Sequence, residues 1–231
     1  MRHALSFSGG KDSTLALHRA RTQGYDVSHL FNIFEGSSGR VRFHGTRAEL
    51  IGAQAASIGI PLLQDSTHPE DYEEVFLRVL DRLQDDGVGG IIFGNLHLTD
   101  IRAWYEERVT VRGLEHVEPL WLDPGTELLR ELVDLGYRAR IVSLDLKGTP
   151  EAWLGRLVDE DFIQELALHP EIDPNGERGE YHTFVEAGPL FQTSFAVRLG
   201  ERVEMEGHAL LDMELDDPPG FAVASRIRSS P

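Results

Sequence analysis

Ser8-Gly9-Gly10-Lys11-Asp12-Ser13 is the stretch of this chain best equipped for chemistry. It follows a short apolar run, Ala4 to Phe7, and precedes Thr14 to Ala20, which reads as a helix. A strand, a glycine turn and a helix start together form an anion cradle. Glycine lets the backbone approach the anion, the first helical turn offers N–H groups without intrahelical acceptors, and the helix dipole favours negative charge there. Lys11 adds a cation, and Ser8 and Ser13 add hydroxyl donors.

A second stretch, Asp173 to Val185, places Glu177, Glu180, His182 and Thr183 within seven residues, punctuated by glycines. Glu177, Glu180 and His182 could hold a divalent ion, orient ammonia or a carboxylate, or act as acid and base. A polar surface turn is the alternative reading of the same composition. The spacing is not that of a zinc site, and the chain has no cysteine to complete one.

The glycine loop is not of the Walker type, G-x-x-x-x-G-K-[ST]. Asp12 follows Gly10-Lys11, and Leu5 stands where the first glycine belongs. A γ-phosphate-transferring NTPase is therefore disfavoured.

The elements around these residues alternate. Strands are expected at His3 to Phe7, Val27 to Phe34, Ile60 to Leu63, Gly90 to Gly94, Val117 to Leu120 and Arg138 to Leu144. Helices are expected after the loop up to Gly24, then over Thr46 to Ser57, Pro69 to Leu83, Asp100 to Arg112 and Thr126 to Leu135. In the third of these, Tyr72, Val75, Phe76, Val79, Leu80 and Leu83 recur at three-to-four spacing. Such alternation predicts an α/β fold, a Rossmann-like parallel sheet with helices on both faces. Ligands of such sheets sit beyond the carboxyl ends of the strands, where residues 8–13 fall. After residue 147 the pattern changes to a short helical stretch and then to strands at Phe195 to Leu199, Glu201 to Met205 and His208 to Leu215, with a hairpin turn at Leu199-Gly200-Glu201-Arg202. The expected organisation is a nucleotide-binding domain over 1–147, a smaller α+β domain over 148–217 and a loose tail over 218–231.

Composition narrows the function classes. A net charge of −17 over 231 residues repels polyanions, so nucleic acid is not an expected partner. Of 22 lysines and arginines only Lys11 and Lys147 are lysine, and one of them stands inside the loop. The absence of cysteine excludes disulfides, thiolate metal sites and persulfide chemistry. No apolar run approaches the roughly 20 residues of a membrane span, and no leader pattern opens the chain, so a cytoplasmic location away from the membrane is expected.

The loop resembles the SGGxDS loop of the PP-loop ATP pyrophosphatases, the adenine nucleotide α-hydrolase-like group, which implies cleavage between the α and β phosphates of ATP. GERGEYHTFV over 177–185 with its preceding glycine, Gly188-Pro189-Leu190-Phe191 and Pro119-Leu120-Trp121 add a narrower likeness. So do Gln54-Ala55-Ala56 with Gly59-Ile60-Pro61-Leu62, and Gly136-Tyr137-Arg138-Ala139. Over nearly the whole chain to about residue 215, it is similar to the diphthine–ammonia ligase family. That resemblance implies an ATP-dependent, AMP-forming carbon–nitrogen ligase. ATP would activate a carboxylate, that of diphthine on elongation factor 2 in the family, and ammonia would then displace AMP. Ser8, Gly9, Gly10, Lys11, Asp12, Ser13 and Asn95 would bind the nucleotide, with Mg²⁺ on Asp12, whose bare carboxylate would otherwise repel phosphate. Lys11, Asp12, Glu177, Glu180 and His182 would form the catalytic set, the last three handling the acceptor carboxylate or ammonia. A homodimer is left open.

Two departures from the family pattern stand out. Gly94 to Trp104 lacks the Tyr-Gln-x-x-Arg-like signature of the archaeal and eukaryotic ligases and looks like a bacterial branch, for which an acceptor other than diphthine is expected. Asn175 stands where the family has cysteine. The alternatives are a pyrophosphatase acting on a different small carboxylate, a nucleotide-binding protein without turnover, and a tRNA-thiolating enzyme, the last opposed by the missing cysteines and the acidic charge. Asn95, His97 and Asp100 close an expected strand near the nucleotide site. His44 and Arg47 are weaker phosphate candidates. Trp104, Trp121 and Trp153 are expected to pack, and the Asp85-Asp86 and Asp216-Asp217 pairs to be solvated.

Overall fold

The computed structural model describes residues 1–41, 45–205 and 207–216. His44, Asp217 and the tail over 218–231 lie outside the described residues. The first half of the chain builds a six-stranded sheet from β1 (Arg2–Ser6), β2 (Asp26–Glu35), β3 (Arg40–Val41), β4 (Leu62–Thr67), β5 (Val88–Ile92) and β6 (Glu115–Val117). β1 lies between β2 and β5 and is parallel to both. β4 continues the sheet beyond β2 and β6 beyond β5, again parallel. The short β3 is antiparallel to the end of β2. The chain therefore winds outward first on one side of β1 and then on the other. The crevice beyond the ends of β1 and β5 is the switch point, where α/β sheets bind ligands.

Alternate residues of the central strands face opposite sides, as a period of two requires. Leu5, Leu30 and Ile92 pack into one apolar cluster, while Ala4, Phe31, Ile91 and Phe93 pack into the other. α1 (Lys11–Thr22), α2 (Ala48–Ile58) and α5 (Gly125–Asp134) cover the first face. α3 (Tyr72–Asp85) and α4 (Thr99–Thr110) cover the second. The stripe read along α3 is the buried one: Val75, Phe76, Val79, Leu80 and Leu83 are all inaccessible. α2 ends at Gly59, whose φ of 76° is the left-handed C-cap that glycine accepts without strain. The expected parallel sheet covered on both faces is thus present.

The second sheet is antiparallel throughout, in the order β8 (Tyr181–Ala187), β7 (Arg138–Asp145), β10 (His208–Leu215), β9 (Val197–Met205). α6 (Glu160–Leu166) packs beside it, its first turn capped by the Asp159 carboxylate, which accepts the Phe162 N–H at 2.8 Å.

Two expectations are corrected here. Arg138 to Leu144 does not extend the parallel sheet; as β7 it pairs with β8 and β10. A short apolar strand announces burial but not its partner, and strands 37 or more positions away supplied the partners. Leu199 to Arg202 is not a hairpin turn, because β9 runs unbroken through it and the reversal falls between Met205 and His208, with Gly207 at φ 85°. Gly200 instead marks the irregular register opposite Leu211 to Met213. A β-carbon there would lie 3.1 Å from the Asp212 carbonyl oxygen, the close approach that glycine within a strand often signals. β6 also sits slightly earlier than the expected Val117 to Leu120, ending before Pro119.

Candidate active site

Between β1 and α1 the chain turns through Gly9 at φ 76°, and Gly10 enters the helix in an extended conformation with no side chain to cap it. The space over Gly9 is already taken: a β-carbon would stand 2.1 Å from Gln54 Oε1. Gln54, wholly buried on α2, donates from Nε2 to the carbonyls of Gly9 (2.9 Å) and Val185 (2.7 Å). The Val185 N–H donates to the Gly9 carbonyl at 3.0 Å, and the Lys11 N–H to Thr183 Oγ1 at 3.0 Å. The glycine loop and β8 of the second sheet are therefore stitched together through backbone groups. Gly94, after β5, closes the crevice from the other side; a β-carbon there would meet the Asp12 backbone at 3.0 Å.

The chemically capable side chains divide into two sets. Ser8, Asp12, Ser13, Asn95, Glu177 and His182 line one cavity of about 180 Å³, together with Ser6, Phe93, Gly94, Tyr105, Asn175 and Gly176. Ser8 and Ser13 hydroxyls lie 3.2 Å apart at its floor, and Ser13 donates back to the Gly10 carbonyl.

Lys11 and Glu180 are placed elsewhere. Lys11 is 4 % exposed and turned beneath the loop, where Nζ donates to the Asn175 carbonyl at 2.5 Å and to Asp12 Oδ2 at 2.8 Å, over the Tyr181 ring. Glu180 faces its own turn, accepting the N–H groups of Asp173 (2.9 Å) and Arg178 (3.1 Å). It holds the shape of the segment that delivers Glu177.

The electrostatics of the cavity are those of crowded acids. Burial first, then the neighbouring Asp12 carboxylate and Asp173, partly offset by Lys11, together push the Glu177 carboxyl up to about 8. The Asp12 carboxylate is divided between Lys11 Nζ and the Asn175 side-chain amide, whose Nδ2 donates to Oδ1 at 3.0 Å. Asn175 thus spans both motifs through its backbone carbonyl and its amide.

Several expectations find their place at the rim or away from it. His97 Nε2 lies 3.1 Å from Asp173 Oδ2, tying the loop after β5 to the acidic turn. Asp100 is exposed on α4. Arg47 is no phosphate contact: it pairs with Asp212 and Glu214 of β10. Trp153 is fully buried, donating from Nε1 to Glu165 Oε1 at 2.7 Å, and Trp104 packs against Phe76. Sequence reasoning gave no role to Gln54, Thr183 or Glu118. A glutamine in an otherwise apolar helix stripe was the available signal for Gln54. For Glu118, one acid between Val117 and Pro119, there was none.

Among the described residues, no group of three or more His, Cys, Asp or Glu is arranged to hold a metal, and no helix is long and apolar enough to cross a membrane.

Comparison with known proteins places the chain among relatives of one name. Residues 1–115 match the model of the diphthamide synthase N-terminal domain, and residues 124–215 that of the diphthamide synthase C-terminal domain. A human diphthine–ammonia ligase is 27 % identical over 228 residues, covering 88 % of this chain and 85 % of that protein. The rat diphthine–ammonia ligase is 24 % identical over 256 residues, covering 100 % and 96 %. Among solved structures, a predicted subunit of tRNA methyltransferase from Methanocaldococcus jannaschii aligns with a TM-score of 0.42 at 16 % identity, over 82 % of this chain and 100 % of that one. A likeness that distant carries no argument.

Proposed function

The chain belongs to the diphthamide synthase family, and from that premise we propose that it is an ATP-dependent amide ligase whose active site is the cavity between the glycine loop and the 173–185 segment. The observation that carries this reading is the convergence of both motifs on one cavity at the switch point of the sheet, held by the Val185–Gly9 and Thr183–Lys11 hydrogen bonds.

The reaction has two halves. A carboxylate oxygen attacks the α phosphorus of ATP, the bond to the β-phosphate oxygen breaks, and pyrophosphate leaves. Ammonia then attacks the carbonyl carbon, AMP leaves, and one proton is released. A free carboxylate cannot be aminated directly because oxide is a poor leaving group; AMP is a good one. The protein must hold the reacting atoms in line and offset charge on the leaving group. The N–H groups of Asp12 and Ser13 in the first turn of α1 and the hydroxyls of Ser8 and Ser13 suit the phosphates.

Lys11, buried as it is, holds the Asn175 turn and Asp12 in place and contributes its charge from below. Glu177, its carboxyl raised to about 8, is suited to exchange a proton with ammonium as the pH approaches that value. His182, on the same cavity wall, is placed to exchange a proton with the acceptor. Glu180 acts through the shape of the turn.

Mg²⁺ fits the residues present. It characteristically takes one or two carboxylates and fills its remaining positions with water and substrate phosphates. Asp12 offers one carboxylate to the cavity, and Glu177, near enough for Asp12 to raise its value, is a second acid beside it. The ion would supply charge neutralisation on the phosphates. The acceptor is a carboxylate, and diphthine on elongation factor 2 is the first to test.

The test is product analysis with ATP, ammonium and a panel of carboxylates that includes diphthine-bearing elongation factor 2. AMP and pyrophosphate in equal amounts, dependent on the carboxylate, support the reading. Release of orthophosphate, or ATP binding with no turnover under any of these conditions, would overturn it.

A further inference from the structure

Glu118, the residue after β6, is a buried carboxylate that the nucleotide-binding loop does not use. Its side chain is 3 % exposed. Asn95 Nδ2 donates to Oε1 at 2.8 Å, Arg102 Nε stands 3.2 Å from Oε2, and His116 Nε2 lies 3.3 Å from Oε1. Arg102 itself lies over the Trp121 ring at 4.5 Å. The ion pair with Arg102 and the Asn95 hydrogen bond compensate a carboxylate so enclosed. An ionised carboxylate accepts and cannot donate.

That settles the polarity of Asn95. Turning its amide over would set carbonyl against carboxylate, two acceptors in contact. The amide nitrogen therefore faces Glu118, and the carbonyl oxygen is the end of the side chain left for the cavity that Asn95 lines. An oxygen acceptor repels a phosphate oxygen and attracts an N–H donor. The charges agree: the Asp12 carboxylate lines this cavity, whereas its lining residues include no lysine or arginine.

We propose that this cavity binds ammonia or ammonium as an N–H donor to the side-chain carbonyl of Asn95, and that Glu118 is the positioning residue that keeps the carbonyl turned toward it. The proposal rests on the ligase reading for its substrate, and it adds the group that recognises the nitrogen nucleophile. Glu118 touches Asn95, not the reacting atoms.

The experiment compares thermal unfolding of the full chain in ammonium chloride and in potassium chloride at equal ionic strength. Potassium has nearly the size of ammonium but no N–H. Wild type should be stabilised by ammonium beyond potassium. Asn95→Ala and Glu118→Gln should each lose that difference, with an apparent ammonium affinity lower by about tenfold or more, the scale of one hydrogen bond to a charged group. In turnover, Glu118→Gln should raise KM for ammonium about tenfold while kcat at saturating ammonium and the affinity for ATP stay within about twofold. A merely structural Glu118 would lower kcat and ATP affinity together.

An N–H donor could also come from the 6-amino group of adenine, so ATP and ITP affinities are measured for Asn95→Ala. Their ratio should be unchanged; loss of the preference for ATP would overturn the proposal. Equal responses of wild type to ammonium and potassium would do so as well. A selective ammonium response without pyrophosphate release from ATP would remove the ligase reading and leave the nitrogen site standing.

Discussion

Two of the contacts between the sheets are built on opposite principles. At the cavity, β8 and the 173–177 turn join the glycine loop through backbone and amide hydrogen bonds, leaving acids close together. At the other contact, Arg40 and Arg47 both grip Asp212 of β10, at 2.6 and 2.7 Å. The two acids respond in opposite directions. Burial and the Asp12 charge push Glu177 up to about 8, whereas hydrogen bonds from Arg47 and then Arg40 hold Asp212 down to about 2. One contact leaves charge for a ligand to use; the other spends its charge on holding the sheets together.

The largest expected effect comes from taking away the acid that both motifs hold. Asp12→Ala should lower pyrophosphate formation by about a thousandfold or more, on the scale of losing preorganised charge stabilisation, with the fold retained by circular dichroism. Turnover near wild type would remove the loop from the mechanism.

Glu177→Gln sharpens the contrast in pH. The native carboxyl is pushed up to about 8 from the ordinary 4.5, chiefly by burial, so the folded state holds the extra proton. Stability without added cation should therefore be highest below 4.5 and decline as pH rises through 8. The glutamine variant should lose that slope in urea titrations across pH, and its turnover should fall by about a hundredfold, as for a proton-transfer group. An unchanged slope would place the proton elsewhere.

Thr183→Val keeps the shape but removes the acceptor of the Lys11 N–H, 172 positions away in sequence. A loss of about 1 kcal/mol in stability and roughly tenfold in turnover is expected. Wild-type turnover would show that the stitch does not align the loop.

Asp212→Asn should have the smallest effect on catalysis, within about twofold, yet cost about 2 kcal/mol of stability at neutral pH. The sign is opposite to that of Glu177: a carboxyl lowered from 3.8 to about 2 stabilises above 3.8 and loses that contribution as pH falls toward 2. Acid unfolding of wild type and variant should converge there. A large loss of activity in this variant would make the second contact part of the active site.

Much of the site was legible in order along the chain. The glycine pair between an apolar strand and a helix start marked the crevice, and Ser8, Asp12, Ser13, Asn95, Glu177 and His182 do line one cavity. Lys11 and Glu180 show the limit of reading by residue type. A lysine in a phosphate loop and a glutamate beside a catalytic one suggest direct roles, yet both face the backbone of the acidic turn. Side-chain direction depends on neighbours from the second sheet, and composition does not encode it. Asn175 was singled out as a departure from the family, and its span between Lys11 and Asp12 became visible in three dimensions.

By itself the sequence determined the periodic features: the alternating strands, the buried stripe of α3, the stop at Gly59 and the turn at Gly9. Each follows from local sterics or from the repeat of apolar side chains within a few residues. Tertiary structure alone decided that β7 joins the antiparallel sheet, that β9 runs through Gly200, that Lys11 points beneath the loop and that Glu118 accepts the Asn95 amide. Those outcomes depend on hydrogen bonds and charges between residues far apart in the chain, whose free energy is set by burial and by the partner present, and neither is written in any local pattern.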